Sequence, residues 1–139
     1  MSKNVTFVDN SKAILTQMQQ IELKWLEMAA MIIEGSAVAL CAVDTGRLRD
    51  NIDYKVSKSE MAAYVGTNVE YAIYIEFGTG EFAENGNGRK GGWAYPKPDG
   101  SGWVFTLGMR PQPFIRPAFR NNKQKIQKLL KQLYGELGS

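Results

Sequence analysis

The 139 residues include no histidine, so every His-ligated metal site and every His-based triad is excluded. Chemistry would have to come from the single cysteine, Cys41, or from carboxylates and lysines. Cys41 sits among Ala39, Leu40, Ala42 and Val43. Apolar surroundings of that kind raise a thiol pKa and leave it inert, so a buried structural thiol is expected. Asp44, Glu70 and Glu76 would form an acid–base group only if the fold gathered them; otherwise they supply surface charge and helix caps. The run FGTGEFAENGNGRKGG lacks the Lys-Ser/Thr ending of a phosphate-binding loop. Its Gly78-Thr79-Gly80 would hold an anion only at a helix start, and none is signalled there. No catalytic, metal or cofactor site can be assembled, and the expectation is a protein that is not an enzyme and takes no cofactor. The residues that could instead meet a macromolecule are Arg89 and Lys90 beside Trp93 and Tyr95, with Phe114 in a proline-rich segment further on.

Composition is that of an ordinary globular chain, with 44% hydrophobic and 22% charged residues. The length suits a single domain over 1–139 with a core that needs no disulfide. The first ten residues carry no apolar core of signal-peptide length, and no run approaches the roughly 18 apolar residues of a membrane span. Residence in the cytosol is therefore expected. Charge is divided along the chain: residues 110–139 hold seven basic residues and one acidic, a net +6, whereas the first 109 hold ten basic and thirteen acidic, a net −3. A nucleic-acid-binding module concentrates charge in this way, and so does a solvated helix face or a pair of surfaces that attract each other between subunits.

The elements that must position these residues follow from periodicity and punctuation. Asp9 or Ser11 can cap a helix reaching about Leu40. Ile14, Met18, Ile21, Trp25, Met28 and Ile32 form its stripe, widened by Leu15, Leu23, Leu26 and Ile33 and expected to pack on the chain's own sheet. Gly35 and Ser36 invite a bend. Asp44 and Thr45 are caps, and Gly46 is a sharp turn before a short helix with Arg47, Leu48 and Arg49. IDYKVS and MAAYVGT alternate as a hairpin around Lys58–Glu60. Asn68 before the run 71–77, and Gly78 after it in a left-handed conformation, favour a short helix. Eight of the fourteen glycines then fall within residues 78–102, which predicts a mobile insert at about 78–92 followed by two strands, WAYPKP and WVFTL, around the turn DGSG. Pro111 and Pro113 force an extended approach to a final helix with Pro117 in its first turn and Gly135 at its end. Ile126, Leu129, Leu130, Leu133 and Leu137 form its apolar face, with lysines crowded towards its C-terminus. Phe119 and Ile115 are expected in the core, leaving Phe114 to face a partner.

Three segments in order, VDTGRLRDNI, VGTNVEYAIYIEFGTG and RPQPFIRPAF, resemble the tail-component, or head–tail joining (neck), family of tailed bacteriophages. With the helix before them and the basic amphipathic helix after them, the resemblance covers nearly the whole chain. It implies an α+β fold in which a long N-terminal helix and a C-terminal helix pack on a small, strongly bent, mainly antiparallel sheet. It also implies a structural virion protein that acts at the head–tail junction as a tail-completion or neck ring subunit. Its partners would be copies of itself in a six-fold ring and other neck or tail proteins, with no small-molecule substrate and no membrane. It would reside in the host cytoplasm before assembly. The glycine-rich insert before Trp93 departs from the family pattern.

Overall fold

A computed structural model describes residues 11–41 and 46–136. The expected cap Asp9, and the residues Asp44, Thr45 and Leu137, lie outside the described residues. Helix α1 (Ser11–Leu40) is followed by a short helix α2 (Arg47–Asp50), strands β1 (Ile52–Ser57) and β2 (Ala62–Thr67), and helix α3 (Ala72–Phe77). A 3-10 turn (Gly80–Phe82), strands β3 (Trp93–Pro96) and β4 (Trp103–Thr106), and helix α4 (Ile115–Gly135) complete the order. The architecture is α+β, and its strand material forms two antiparallel hairpins, β1–β2 and β3–β4. In the first, Ile52 lies opposite Thr67 and Ser57 opposite Ala62. In the second, Trp93 lies opposite Thr106 and Pro96 opposite Trp103.

Helix α1 runs unbroken through Gly35 and Ser36 and uses two faces. Part of its large-residue stripe turns to α4, where the Trp25 indole N–H donates to the Ile126 carbonyl at 2.8 Å and Met28 and Ile32 line a cleft with Leu129, while the helix also packs on the β1–β2 hairpin. Glu22 accepts from the Tyr134 hydroxyl along the same seam. The most buried residues of α1 are instead small or lie on the neighbouring face: Ala29, Ala30, Ile33 and Ala37. That face meets the core, which gathers Ile33, Ala37, Cys41, Leu48, Ile52, Val69, Phe114 and Ala118. Small side chains let the helix approach closely, and the space they leave is filled by a phenylalanine from elsewhere in the chain. Ile14 and Leu15, at the start of the stripe, stay about half exposed (47% and 59%).

The phenylalanine is Phe114, which reverses the expected order of burial. Phe114 is 1% exposed and is the largest fully buried side chain, whereas Phe119 is 44% exposed. The helical repeat explains the exchange. Ile115, Ala118, Asn122, Ile126, Leu129 and Leu133 recur at spacings of three and four residues and share the inward face of α4, and Phe119 lies one residue, about 100°, beyond Ala118. Phe114 precedes the helix at its N-cap, so the turn there aims it into the core. The lysines of α4 lie along its middle, and its last turn carries no basic residue.

Segments 75–84 and 107–112 are stitched together backbone to backbone. Thr79 N–H donates to the Met109 carbonyl (2.9 Å), Glu81 N–H to Leu107 (2.9 Å), and Gln112 N–H to Ile75 (2.8 Å). Gly78, with φ 78° and ψ 174°, ends α3 in a mirror-extended conformation that glycine alone adopts readily, not in the left-handed helical one. Asn68 does not cap α3, whose N-cap is Tyr71 with no side-chain hydrogen bond. At Gly80 (φ +61°) a Cβ would overlap the Leu107 carbonyl. Gly80→Ala should therefore lower the melting temperature through a left-handed penalty of about 1–2 kcal/mol with the overlap added to it. Gly35→Ala has the opposite sign: Gly35 is helical, exposed and clear of neighbours, and alanine there stabilises by about 0.5–1 kcal/mol. Thermal melts of the two variants test both.

Candidate assembly interface

Of the three carboxylates considered for chemistry, Glu76 is 5% exposed and turned beneath α4, and Glu70 is exposed. Glu76 caps a helix that begins 39 residues later. Its Oε2 accepts from the N–H groups of Phe114 (2.7 Å) and Ile115 (3.2 Å), and its Oε1 from the N–H (2.9 Å) and Nε (3.1 Å) of Arg116. The first turn of a helix presents just such unsatisfied donors and a positive dipole end. Burial pushes the Glu76 carboxyl upward, but the four donors outweigh it and hold the group below its ordinary value. Arg116 reaches on to both carboxylate oxygens of Glu84 at 2.7 Å, to the Glu76 carbonyl at 2.9 Å, and lies 4.4 Å from the centre of the Phe77 ring. One arginine therefore joins α3, the base of the insert and α4. The Cys41 thiol is buried, and that burial raises its pKa against the lowering effect of Arg49. Among the described residues, no group of three or more metal-ligating side chains could hold an ion.

With Ala72, Ile75 and Glu76 turned inward, the helical repeat leaves Ile73, Tyr74 and Phe77 outward, 59%, 56% and 42% exposed. They form one wall of an open groove of about 720 Å³ whose other wall is the insert, with Ala83, Arg89 and Trp93. The Arg89 guanidinium lies 5.6 Å from the centre of the Trp93 ring. Beyond Trp93 the β3–β4 hairpin forms an arm. Alternation sends Trp103, Phe105 and Leu107 to one face, where they are 70%, 65% and 41% exposed. Tyr95, 42% exposed, lies opposite Val104 on the other.

The structure thus brings Arg89 and Trp93 into one groove, sets Lys90 exposed beside it, and puts Tyr95 on the arm. Phe114 belongs to the core and cannot present itself to a partner. Ile73, Tyr74, Phe77, Trp103 and Phe105 were not singled out from the sequence. Their signal was a six-residue helix apolar on nearly every side, which cannot bury all of them, and an alternating strand with aromatics at every second position.

The described residues thus present exposed apolar surface along the arm and the groove. Residues 7–78, just over half of the chain, match the family described as "Bacteriophage HK97-gp10, putative tail-component". The chain belongs to this family of bacteriophage tail-component proteins. The matched stretch holds α1 to α3, the first of the three resembling segments and all but the last two residues of the second; the arm and α4 lie beyond it. No curated protein and no solved structure matches the chain at a significant level. No helix among the described residues is long and apolar enough to cross a membrane.

Proposed function

We propose that this tail component is a non-enzymatic structural protein of the virion that acts at the head–tail junction as a tail-completion or neck ring subunit, six-fold in the particle. The observation that carries this reading, beyond family membership, is the solvent-facing aromatic surface of the arm and groove. Contiguous apolar surface of that kind on a monomer marks a place that another protein covers. Arm and groove are different surfaces on one chain, and contacts between unlike surfaces are heterologous and form rings where the rotation between copies closes. The partners are copies of this chain and other neck or tail proteins, and the candidate contact residues are Arg89, Lys90, Trp93 and Tyr95. Deleting the gene should leave DNA-filled heads and separate tails under negative-stain microscopy. Joined, infectious particles from the deletion would overturn the reading.

A nucleic-acid-binding module is the second reading. It is favoured by Arg120, Lys123, Lys125, Lys128 and Lys131, all exposed on α4 and none in an ion pair among the described residues. It requires DNA affinity that falls steeply with salt, and a gel shift without binding at low salt removes it.

Within either reading the outer part of the insert expected at about 78–92, residues 85–91, is proposed to be mobile in the isolated subunit, its base being tied to residues 107–109 and to Arg116. Residues 85–91 have small or polar side chains and few apolar anchors, so ordering them has little to offset its entropy. Limited proteolysis should cut first at Arg89 or Lys90 and leave two fragments associated. First cleavage within α4 would refute it.

A further inference from the structure

We propose that the β3–β4 arm of one copy seats in the groove between α3 and the insert of the next copy, with Trp103 and Phe105 packed against Ile73, Tyr74 and Phe77. This inference rests on the ring reading and names the contact that would build it. A copy does not fill its groove with its own arm tip: Trp93 lines the groove at the arm's base, while Trp103 pairs with Pro96 three residues further out, roughly 10 Å away at about 3.4 Å per residue. Trp103 remains 70% exposed there.

The areas are commensurate. Aromatic side chains bury roughly 150–250 Å² each, so Trp103 and Phe105, on one face of the arm, offer roughly 300 Å² at their observed exposures. The three side chains of the α3 wall offer a similar amount. Together they supply about half of the roughly 1,200 Å² at the lower end of stable interfaces, before backbone and rim are added. Each copy in a ring makes two such contacts, and closure raises the effective concentration of the last one. Charge is also complementary. Asp99 in the arm's turn and Arg89 in the groove carry opposite charges.

Cys41 is buried, so cysteines placed on the surface report contacts against a quiet background. The full chain is made as Trp103→Cys and as Tyr74→Cys, and the two are mixed and oxidised. The expected product is a disulfide-linked heterodimer that neither variant gives alone, and the doubly substituted chain should give a ladder of oligomers. In parallel, Trp103→Ala combined with Phe105→Ala should leave the melting temperature within a few degrees of wild type and raise the concentration needed for oligomerisation more than tenfold. A dominant product between two Trp103→Cys chains would mean that arm packs on arm and would overturn the proposal. Oligomers that form normally with both aromatics removed would place the contact elsewhere and leave the ring reading standing. A wild-type chain that stays monomeric, while the arm variants still block head–tail joining, would give the arm to a different neck protein and overturn the second copy as occupant.

Discussion

Phe114→Ala is expected to lower the melting temperature of the isolated subunit by roughly 10–15 °C. Removing a fully buried phenylalanine forfeits its transfer free energy and leaves a cavity, together about 3–5 kcal/mol. A domain near this size shifts by about 3 °C per kcal/mol. The residue is 1% exposed and touches the core formed by Ile33, Ala37, Cys41, Leu48, Ile52 and Val69, so little of its space can collapse. Total stability for domains of this class is only about 5–15 kcal/mol, and the variant should accumulate poorly at 37 °C. Phe119→Ala, from a site 44% exposed, should cost about 1 kcal/mol or less. Equal melts for the two variants would refute the assignment of Phe114 to the core.

The second large effect belongs to Glu76. Glu76→Ala removes the acceptor for three backbone N–H groups and one guanidinium N–H, and should cost about 3–4 kcal/mol. Glu76→Gln keeps the shape but turns an amide donor towards those donors, and should cost about 2 kcal/mol. The pH dependence follows from the direction of the shift. The carboxyl is held below its ordinary value of 4.5 in the folded state, so the unfolded chain binds the proton more readily. The stabilisation is complete above the unfolded value and is lost as pH falls through the lower folded one. Wild-type protein should therefore lose melting temperature between about pH 5 and pH 3, and Glu76→Gln should lose less over that window. Glu84, lowered by its hydrogen bond to Arg116, contributes in the same direction, so the variant's slope is shallower rather than flat. A Glu76→Gln melt as acid-sensitive as wild type would show that the carboxylate does not carry this term.

The sequence by itself determined the elements. Local rules placed α1 from Asp9 or Ser11 to about Leu40, the hairpins at Ile52–Thr67 and from WAYPKP to WVFTL, and a final helix with Pro117 in its first turn and Gly135 at its end, because a 3.6-residue or two-residue apolar period and the proline and glycine boundaries act within a few residues. It also determined the family, which residues 7–78 match, a stretch that holds the first resembling segment and most of the second. Tertiary structure decided which apolar residues the core kept. Ile14, Ile73, Tyr74, Trp103 and Phe105 all sit in apolar patterns and remain exposed, because burial depends on which faces two elements turn to each other. The exchange of Phe114 for Phe119 was decided in the same way, by one helical step of rotation and by the space left beside Ala37. Glu76 was undecidable from spacing: its partners stand 38 to 40 residues away, and only the packing of α3 under the start of α4 brings a carboxylate to those donors. Gly78 read locally as a helix end and Gly80 as part of a mobile insert, whereas in the folded chain they allow two backbones to pass at hydrogen-bonding distance, a requirement set largely by residues 107–111.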